Sequence, residues 1–467
     1  MAKITFHGAA QQVTGSCYLL ESSALGQVLL ECGMHQGGDA IERIGDEAFA
    51  FDPAKLNAVI LSHGHLDHSG MLPKLVQQGF EGPIHCTAAT RALLKILLED
   101  AWGLYERDVE YENKRRQRSG RKLMQLEYSL EDVKRVLSLC TSAKYEETIQ
   151  ITPDAVLRFL DAGHILGSSI VDLTLTENGE QKHLVFSGDL GNRDSALTND
   201  PAMPTQADLV MMEGTYGNRN HRDMGNTLIE LEEILQTAWE NGGNVLIPSF
   251  AVGRAQEILF HLGLLYHQGK LDNWKVFLDS PMAIEVTQVY DNWLNIMDRK
   301  DIRCLTKFGR ESLEKFLPTL QLCRTSEESM AINKIKKGAI IIAGSGMCTG
   351  GRIRHHLKHR IWVAGNTLVF IGFQAQGTLG RLLVDGKKKI KMFGEEFKVR
   401  ANIATLGGFS AHAGQLELIE WANNFKPTPR VILIHGETGA LQTLSTKLKE
   451  DHGIESEIPS QGESVEF

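Results

Sequence analysis

Four side chains able to hold a metal ion fall within six residues of this chain, in the stretch His63-Gly64-His65-Leu66-Asp67-His68. The stretch opens where a short apolar run, Ala58-Val59-Ile60-Leu61, stops. A run of that length bracketed by turn-forming residues reads as a buried strand. Alternate residues of an extended backbone face the same side, so His63 and His65 aim their rings together. Asp67 and His68 come after the turn and face a second position. Neutral imidazoles with a carboxylate suit zinc, and no sulfur ligand is required. Most isolated histidines belong to ordinary surface loops, but this tight spacing at a strand end points to a metal.

The arrangement recurs along the chain. Phe159-Leu160-Asp161-Ala162-Gly163-His164 places a histidine after a strand-like run, Val185-Phe186-Ser187-Gly188-Asp189 a carboxylate, and Val431-Ile432-Leu433-Ile434-His435 a histidine again. Loops at strand ends are where a rigid scaffold presents chemistry. Taken singly, each is more often a structural residue. Together with the first stretch they supply seven ligands, His63, His65, Asp67, His68, His164, Asp189 and His435. That is enough for two metals sharing one carboxylate, and it favours a dinuclear site.

At 467 residues the chain is long enough for two or more domains. No apolar run approaches the ~20 residues of a membrane span, and Met1-Ala2-Lys3-Ile4-Thr5-Phe6-His7 lacks the apolar core of a signal peptide. A cytoplasmic protein without a membrane partner is expected. The seven cysteines are scattered and never in Cys-x-x-Cys spacing, which argues against a disulfide framework and a thiolate zinc site. A net charge of −9 argues against a broadly basic phosphate-binding surface. The positive residues nevertheless cluster, at Lys114–Lys122, at Arg352–Arg360 and at Lys387–Lys391. Each cluster reads equally as a solvated face.

Taken in order, Ile4–Phe6, Ser16–Glu21 and Gln27–Glu31 read as a strand meander, and Gly70–Gln78 as a helix. Ala88–Leu139 is helical by pattern, and with its basic part at 101–139 it reads as an insertion or lid on one core. Strands resume at Val156–Leu160, Ile170–Leu175, Leu184–Ser187 and Leu209–Met212. From Tyr216 the pattern becomes strand–helix alternation, with helices at Asn226–Trp239 and Arg254–His267 and strands at Asn244–Ile247, Val276–Leu278 and Gly338–Ala343. Such alternation argues a parallel sheet with crossovers. A helix at Gln415–Asn424 closes the reading.

The ordered set His63-x-His65-x-Asp67-His68, His164, Asp189 and His435 resembles the successive motifs of the metallo-β-lactamase fold. Glu213, His412 in Phe409-Ser410-Ala411-His412, and His435 in Ile434-His435-Gly436-Glu437 resemble the further motifs of its β-CASP branch of nucleases. Ser249-Phe250-Ala251-Val252-Gly253-Arg254 and Gly344-Ser345-Gly346-Met347 resemble the inserted β-CASP domain. The resemblance implies an α/β fold, an αββα sandwich over 1–213 and 393–467 interrupted by an α/β β-CASP domain over 214–392. It also sorts the ligands of two zinc ions. His63, His65 and His164 would hold one, Asp67, His68 and His435 the other, with Asp189 bridging. His412 would be the general acid, oriented by Glu213. Glu31 stands where the family usually has aspartate, a residue that supports the site without binding metal.

The function implied is a zinc-dependent ribonuclease, since a histidine at the position of His435 goes with RNA substrates in that branch. A hydroxide held between the metals would attack phosphorus in line, with Asp67 and Asp189 among the catalytic groups, leaving 5′-phosphate and 3′-hydroxyl ends. Endonucleolytic and exonucleolytic cleavage both fit. Ser249, Arg254, Ser280, Ser345 and Arg352 are candidate contacts to RNA phosphate. The competing readings are a DNA nuclease of the same family, a hydrolase of small thioesters or lactams, and an inactive binding subunit. The last is disfavoured because no ligand is missing. A homo-oligomer is compatible with the sequence and not required by it.

Overall fold

A computed structural model describes residues 2–35, 44–45, 48–309, 311–372 and 374–467. The chain divides into two compact units, Met1–Arg193 with Asp200–Asn220 and His412–Phe467, and Asp194–Asn199 with His221–Ala411.

The first unit is built on two seven-stranded sheets. One runs in the order Ser464–Glu466, Lys3–Gly8, Cys17–Ser22, Gly26–Leu30, Ala58–Ile60, Ile84–Thr87 and Cys140–Ala143. The other runs Ser456–Glu457, Arg430–Ile434, Leu209–Glu213, Glu180–Phe186, Ser169–Glu177, Ala155–Asp161 and Ile149–Thr152. Strand alternation explains why the sheets face each other: in Lys3–Gly8 every second residue, Ile4 and Phe6 among them, is buried. These join Tyr18, Val28 and Ile60 against Phe159, Leu173, Phe186, Met211 and Ile432 of the other sheet in one core. The outer face of the first sheet is covered by Leu72–Gln77, Ala88–Arg118 and Leu130–Leu139, that of the second by Gln415–Asn423 and Thr438–His452. This is the αββα sandwich that the resemblance implies.

The segment after Thr87 differs from the reading as an insertion. Its helix buries Ala89, Leu93, Leu94 and Leu97 against the core, and the chain returns as Cys140–Ala143, parallel to Ile84–Thr87. It is therefore a crossover between neighbouring parallel strands, which need a long connection. The period broke on the sequence because residues 119–129 are not helical and the last buried side chain of Ala88–Arg118 is Val109.

The second unit holds a six-stranded parallel sheet in the order Leu320–Leu322, Lys275–Leu278, Ala339–Ala343, Val245–Pro248, Thr367–Phe370 and Asn402–Thr405. The unit runs to Ala411, beyond the 392 read from the sequence, because Asn402–Thr405 pairs with Thr367–Phe370. One face packs on the helices Met224–Glu240, Arg254–His267 and Pro281–Asn292, the other on Gly351–Arg360. Asp279, fully buried after Lys275–Leu278, ties the strand ends to this last helix. It accepts from Arg352 Nη1, His356 Nε2 and Ser329 Oγ, each at 2.6 Å. Burial pushes its carboxyl up, but His356, Ser329 and Arg352 outweigh this and hold it below the ordinary value. The stabilisation is therefore present above the unfolded aspartate value of about 3.9 and is lost as pH falls through the lower folded one. Asp279→Ala is expected to cost roughly 3 kcal/mol at pH 7, because it strands a half-buried guanidinium. Urea denaturation should show that difference, and it should shrink below about pH 4.

Candidate metal centre

Every metal-capable residue singled out in the sequence lies in the first unit, where strands of both sheets stop at one edge. Ala58–Ile60 leads into His63–His68, Ala155–Asp161 into His164, Glu180–Phe186 into Asp189, and Arg430–Ile434 into His435, while Glu213 is the last residue of Leu209–Glu213. Register sets this edge: Phe186 pairs with Met211, and Glu213 with Ile434. Ser62 joins the two sheets there, its carbonyl accepting from Ser169 N at 2.9 Å and Ser169 Oγ at 2.8 Å. Gly188 sits at φ +54°, and a Cβ there would meet the Ser62 side chain 2.7 Å away, so only glycine lets the Asp189 loop approach this closely.

The donor atoms converge. His65 Nδ1 lies 3.1 Å from both His63 Nε2 and His164 Nε2. Asp189 Oδ2 is 3.5 Å from His63 Nε2, 3.6 Å from His164 Nε2 and 3.4 Å from His68 Nε2. His68 Nε2 is 3.2 Å from His435 Nε2, with Asp67 Oδ2 at 3.9 and 3.7 Å from these two atoms. Asp189 Oδ1 faces His435 Nδ1 at 3.6 Å. Donor atoms fall within 4.8 Å of one another in three overlapping groups, His63–His65–His164–Asp189, Asp67–His68–His435 and Asp189–Glu213–His435.

The spacing discriminates between a hydrogen-bonded cluster and a metal centre. Ligands about 2.0–2.1 Å from a tetrahedral zinc lie about 3.3 Å from each other, and the imidazole and carboxylate atoms here lie 3.1–3.6 Å apart in the first group and 3.2–3.9 Å apart in the second. Asp189 Oδ1 is buried and accepts no hydrogen bond. The ion-pair partners of Asp67, Asp189, Glu31 and Glu213 among the described residues are all histidines. Burial lowers His65 to about 4, and burial with the neighbouring His68 takes His63 well below its usual value, which leaves both as the neutral rings a metal needs. At His68 burial is opposed and outweighed by Asp189, Glu31 and Asp67, which hold its ring well above the usual value. That pull measures how strongly this pocket attracts positive charge. The residues present fit a pair of divalent cations.

Two partners fix the rings, Glu31, expected from the sequence to support the site, and Thr215, which sequence reasoning missed. Glu31, fully buried at φ +65°, accepts from Ser62 N at 2.7 Å through Oε1 and meets His68 Nδ1 at 3.2 Å through Oε2. Its longer side chain thus does support the site. Thr215 Oγ1 lies 3.1 Å from His435 Nδ1 and donates to the His435 carbonyl at 3.0 Å. Thr215 stands two residues beyond Glu213 in Glu213-Gly214-Thr215, so proximity to a motif was its one signal. His435 itself is at φ +47°, a conformation that side chains with a Cβ adopt rarely and mostly at functional sites.

His412 stands beside this cluster, its Nδ1 3.2 Å from Glu213 Oε1 and 3.9 Å from Asp189 Oδ2. Burial opposes its charge, but Glu213 and Asp189 outweigh it and raise the imidazole to about 9. Glu213 is fully buried and its Oε1 also accepts from Leu190 N at 2.7 Å, so its position is fixed.

The five candidate phosphate contacts all lie in the second unit. Ser249, Ser280 and Ser345 follow the ends of three neighbouring parallel strands, Val245–Pro248, Lys275–Leu278 and Ala339–Ala343. They come close together: a Cβ on Gly344 would lie 3.8 Å from Ser280 Oγ and 3.9 Å from the Ser249 carbonyl. The Gly344–Ser345 peptide is cis. The two arginines are engaged elsewhere. Arg254 is buried and paired with Glu257, and Arg352 is held by Asp279 and by the carbonyls of Cys323 and Arg324.

Comparison with known proteins is consistent with this geometry. Residues 11–223 match the metallo-beta-lactamase superfamily, 255–383 the Beta-Casp domain, and 396–459 the Zn-dependent metallo-hydrolase RNA specificity domain. The chain is 40% identical over 465 residues to Ribonuclease TTHA0252 of Thermus thermophilus, covering 99% of each. It is 31% identical to the RNase J-like protein of Methanocaldococcus jannaschii, covering 94% of this chain and 93% of that one. Identity is also 31% to transcription termination factor FttA of Methanothermobacter thermautotrophicus, over 99% of this chain and 71% of the relative.

A glutamine at position 31 would offer one acceptor oxygen where Glu31 uses two, leaving either Ser62 N or the His68 ring without its partner. Glu31→Gln is expected to weaken metal retention roughly 10–100-fold, read as zinc lost to a competing chelator.

Proposed function

The chain belongs to the β-CASP branch of the metallo-β-lactamase superfamily and is a metal-dependent hydrolytic nuclease; on that premise we propose that it is a zinc-dependent ribonuclease with two zinc ions, leaving 5′-phosphate and 3′-hydroxyl ends. The observation that carries the reading is the pair of donor groups joined through Asp189 and His435. His63, His65 and His164 would hold one ion, Asp67, His68 and His435 the other, with Asp189 shared. The choice of RNA is supported by the RNA specificity domain matched over 396–459, which contains His412 and His435, and by the ribonuclease relatives.

When bound, the zinc pair supplies a hydroxide at neutral pH and neutralises charge on the scissile phosphate. The chain's own groups do the rest. Asp67 and Asp189 present carboxylates that keep the ligand set rigid and negative. His412, held as imidazolium by Glu213, donates a proton to the departing 3′ oxygen, a contribution of about 10²–10⁴-fold for a placed general acid. Glu213 keeps that ring charged and aimed. In the second unit, the row of Ser249, Ser280 and Ser345 at the carboxyl ends of parallel strands is where such sheets take ligands. We assign phosphate contact to it, whereas Arg254 and Arg352, engaged with Glu257 and Asp279, are left as structural ion pairs.

Incubating zinc-loaded protein with end-labelled single-stranded RNA and DNA of matched sequence tests this. RNA should give a product ladder with 5′-phosphate ends that a chelator abolishes. Cleavage of DNA alone, or cleavage that survives chelation, would overturn it. His412→Ala should retain its zinc in metal analysis yet cleave about 10²–10⁴ times more slowly. A wild-type rate would mean that another group protonates the leaving oxygen.

A further inference from the structure

Two of the basic clusters seen in the sequence meet in the second unit around one aromatic ring. The helix Gly351–Arg360 carries Arg354, His355 and Lys358. The hairpin of Lys389–Met392 and Glu395–Lys398 carries Lys389 and Lys391, and Lys387 and Lys388 precede it. Ile390 and Met392 turn inward, so Lys389 and Lys391 face solvent. Met392 pairs with Glu395, leaving Phe393-Gly394 as a two-residue turn. Both turn residues have positive φ, +50° at Phe393 and +82° at Gly394. Such turns take Asn-Gly or Asp-Gly, since a bulky side chain is strained at the first position.

Burial does not account for the phenylalanine, because Phe393 is 45% exposed. Basic side chains surround its ring instead. The Arg354 guanidinium carbon lies 4.8 Å from the ring centroid and Lys358 Nζ 5.8 Å, and the His355 ring stacks at 4.9 Å with an interplanar angle of 29°. Two acids stand nearby, and both are engaged: Glu395 with Lys358 at 3.0 Å, Glu396 with Lys389 at 2.7 Å. Lys387, Lys388 and Lys391 are exposed and form no ion pair among the described residues.

We propose that Phe393 is a stacking platform for an unpaired base of single-stranded RNA, with Lys387, Lys388, Lys391 and Arg354 holding the adjoining phosphates. A half-exposed aromatic ring among basic side chains is the kind of combination that binds a single strand without sequence preference. A duplex keeps its bases stacked internally and has none to offer. A strained turn residue kept at the surface, where glycine or asparagine would sit more easily, calls for a ligand. The proposal rests on the ribonuclease reading above but concerns a different surface from its metal centre.

The test is steady-state cleavage of a 5′-labelled, mixed-sequence single-stranded RNA 24-mer by full-length, zinc-loaded protein, comparing Phe393→Asn, Phe393→Trp and wild type. Asparagine suits the turn, so Phe393→Asn should raise the thermal midpoint or leave it unchanged. It should also raise KM roughly 5- to 150-fold, the range that loss of one base stack gives. Phe393→Trp should keep KM near wild type. A wild-type KM in Phe393→Asn overturns the platform, as does equal weakening by asparagine and tryptophan. A rise in KM that comes with a changed oligomeric mass would mean that the ring covers a second copy, and also overturns it. If wild-type protein cleaves no RNA, the functional reading falls and this one with it; if it cleaves and Phe393→Asn behaves as wild type, only the platform falls.

Discussion

The structure turns on one buried carboxylate at the edge where both sheets end. Asp189 is buried among imidazoles, and one of its oxygens accepts no hydrogen bond. A carboxylate taken out of water in that state is costly unless a cation or hydrogen-bond donors compensate it. Placing it there requires loops to approach more closely than side chains normally allow, which glycine at 188 permits. It also requires two sheets to end at one edge, which the face-to-face core provides. The sandwich is thus the support for a set of donor atoms, and the donor atoms account for the irregular backbone at its rim.

Electrostatics then separates the roles of chemically identical side chains. His63 and His65 are kept neutral by burial, whereas His412, a few ångströms away, is kept charged by Glu213. One pocket therefore holds both states of the same residue type at one pH, because carboxylates are unequally distributed around the rings.

Much of this was legible in the sequence. The candidate ligands announced themselves because short apolar runs stop directly before them, and a strand of three to nine residues leaves a clear boundary. Arg254–His267 was readable because a dense run of apolar residues, Ile258 to Leu265, lies inside it, broken only by His261 and Gly263. The helix at Gly351–Arg360 was not, since its charged residues hide the few inward positions, Ile353, His356, Leu357 and Arg360. Asn402–Thr405 belongs with a sheet whose neighbouring strand lies about thirty residues earlier, and no local pattern reports such a pairing. Glu31 was readable as a supporting residue standing in place of the usual aspartate. Its left-handed backbone and its grip on His68 are properties of the packed loop and not of the local sequence.

The separation of the donors along the chain has a consequence for biosynthesis. His68 and His435 are 367 positions apart, and the strand that delivers His435 slots between Leu209–Glu213 and Ser456–Glu457. A nascent polypeptide still lacking that strand holds an incomplete ligand set, however well its earlier parts have folded. On the proposed reading, the metal centre is completed only once Arg430–Ile434 has joined its sheet, which ties the site's formation to the closure of that sheet.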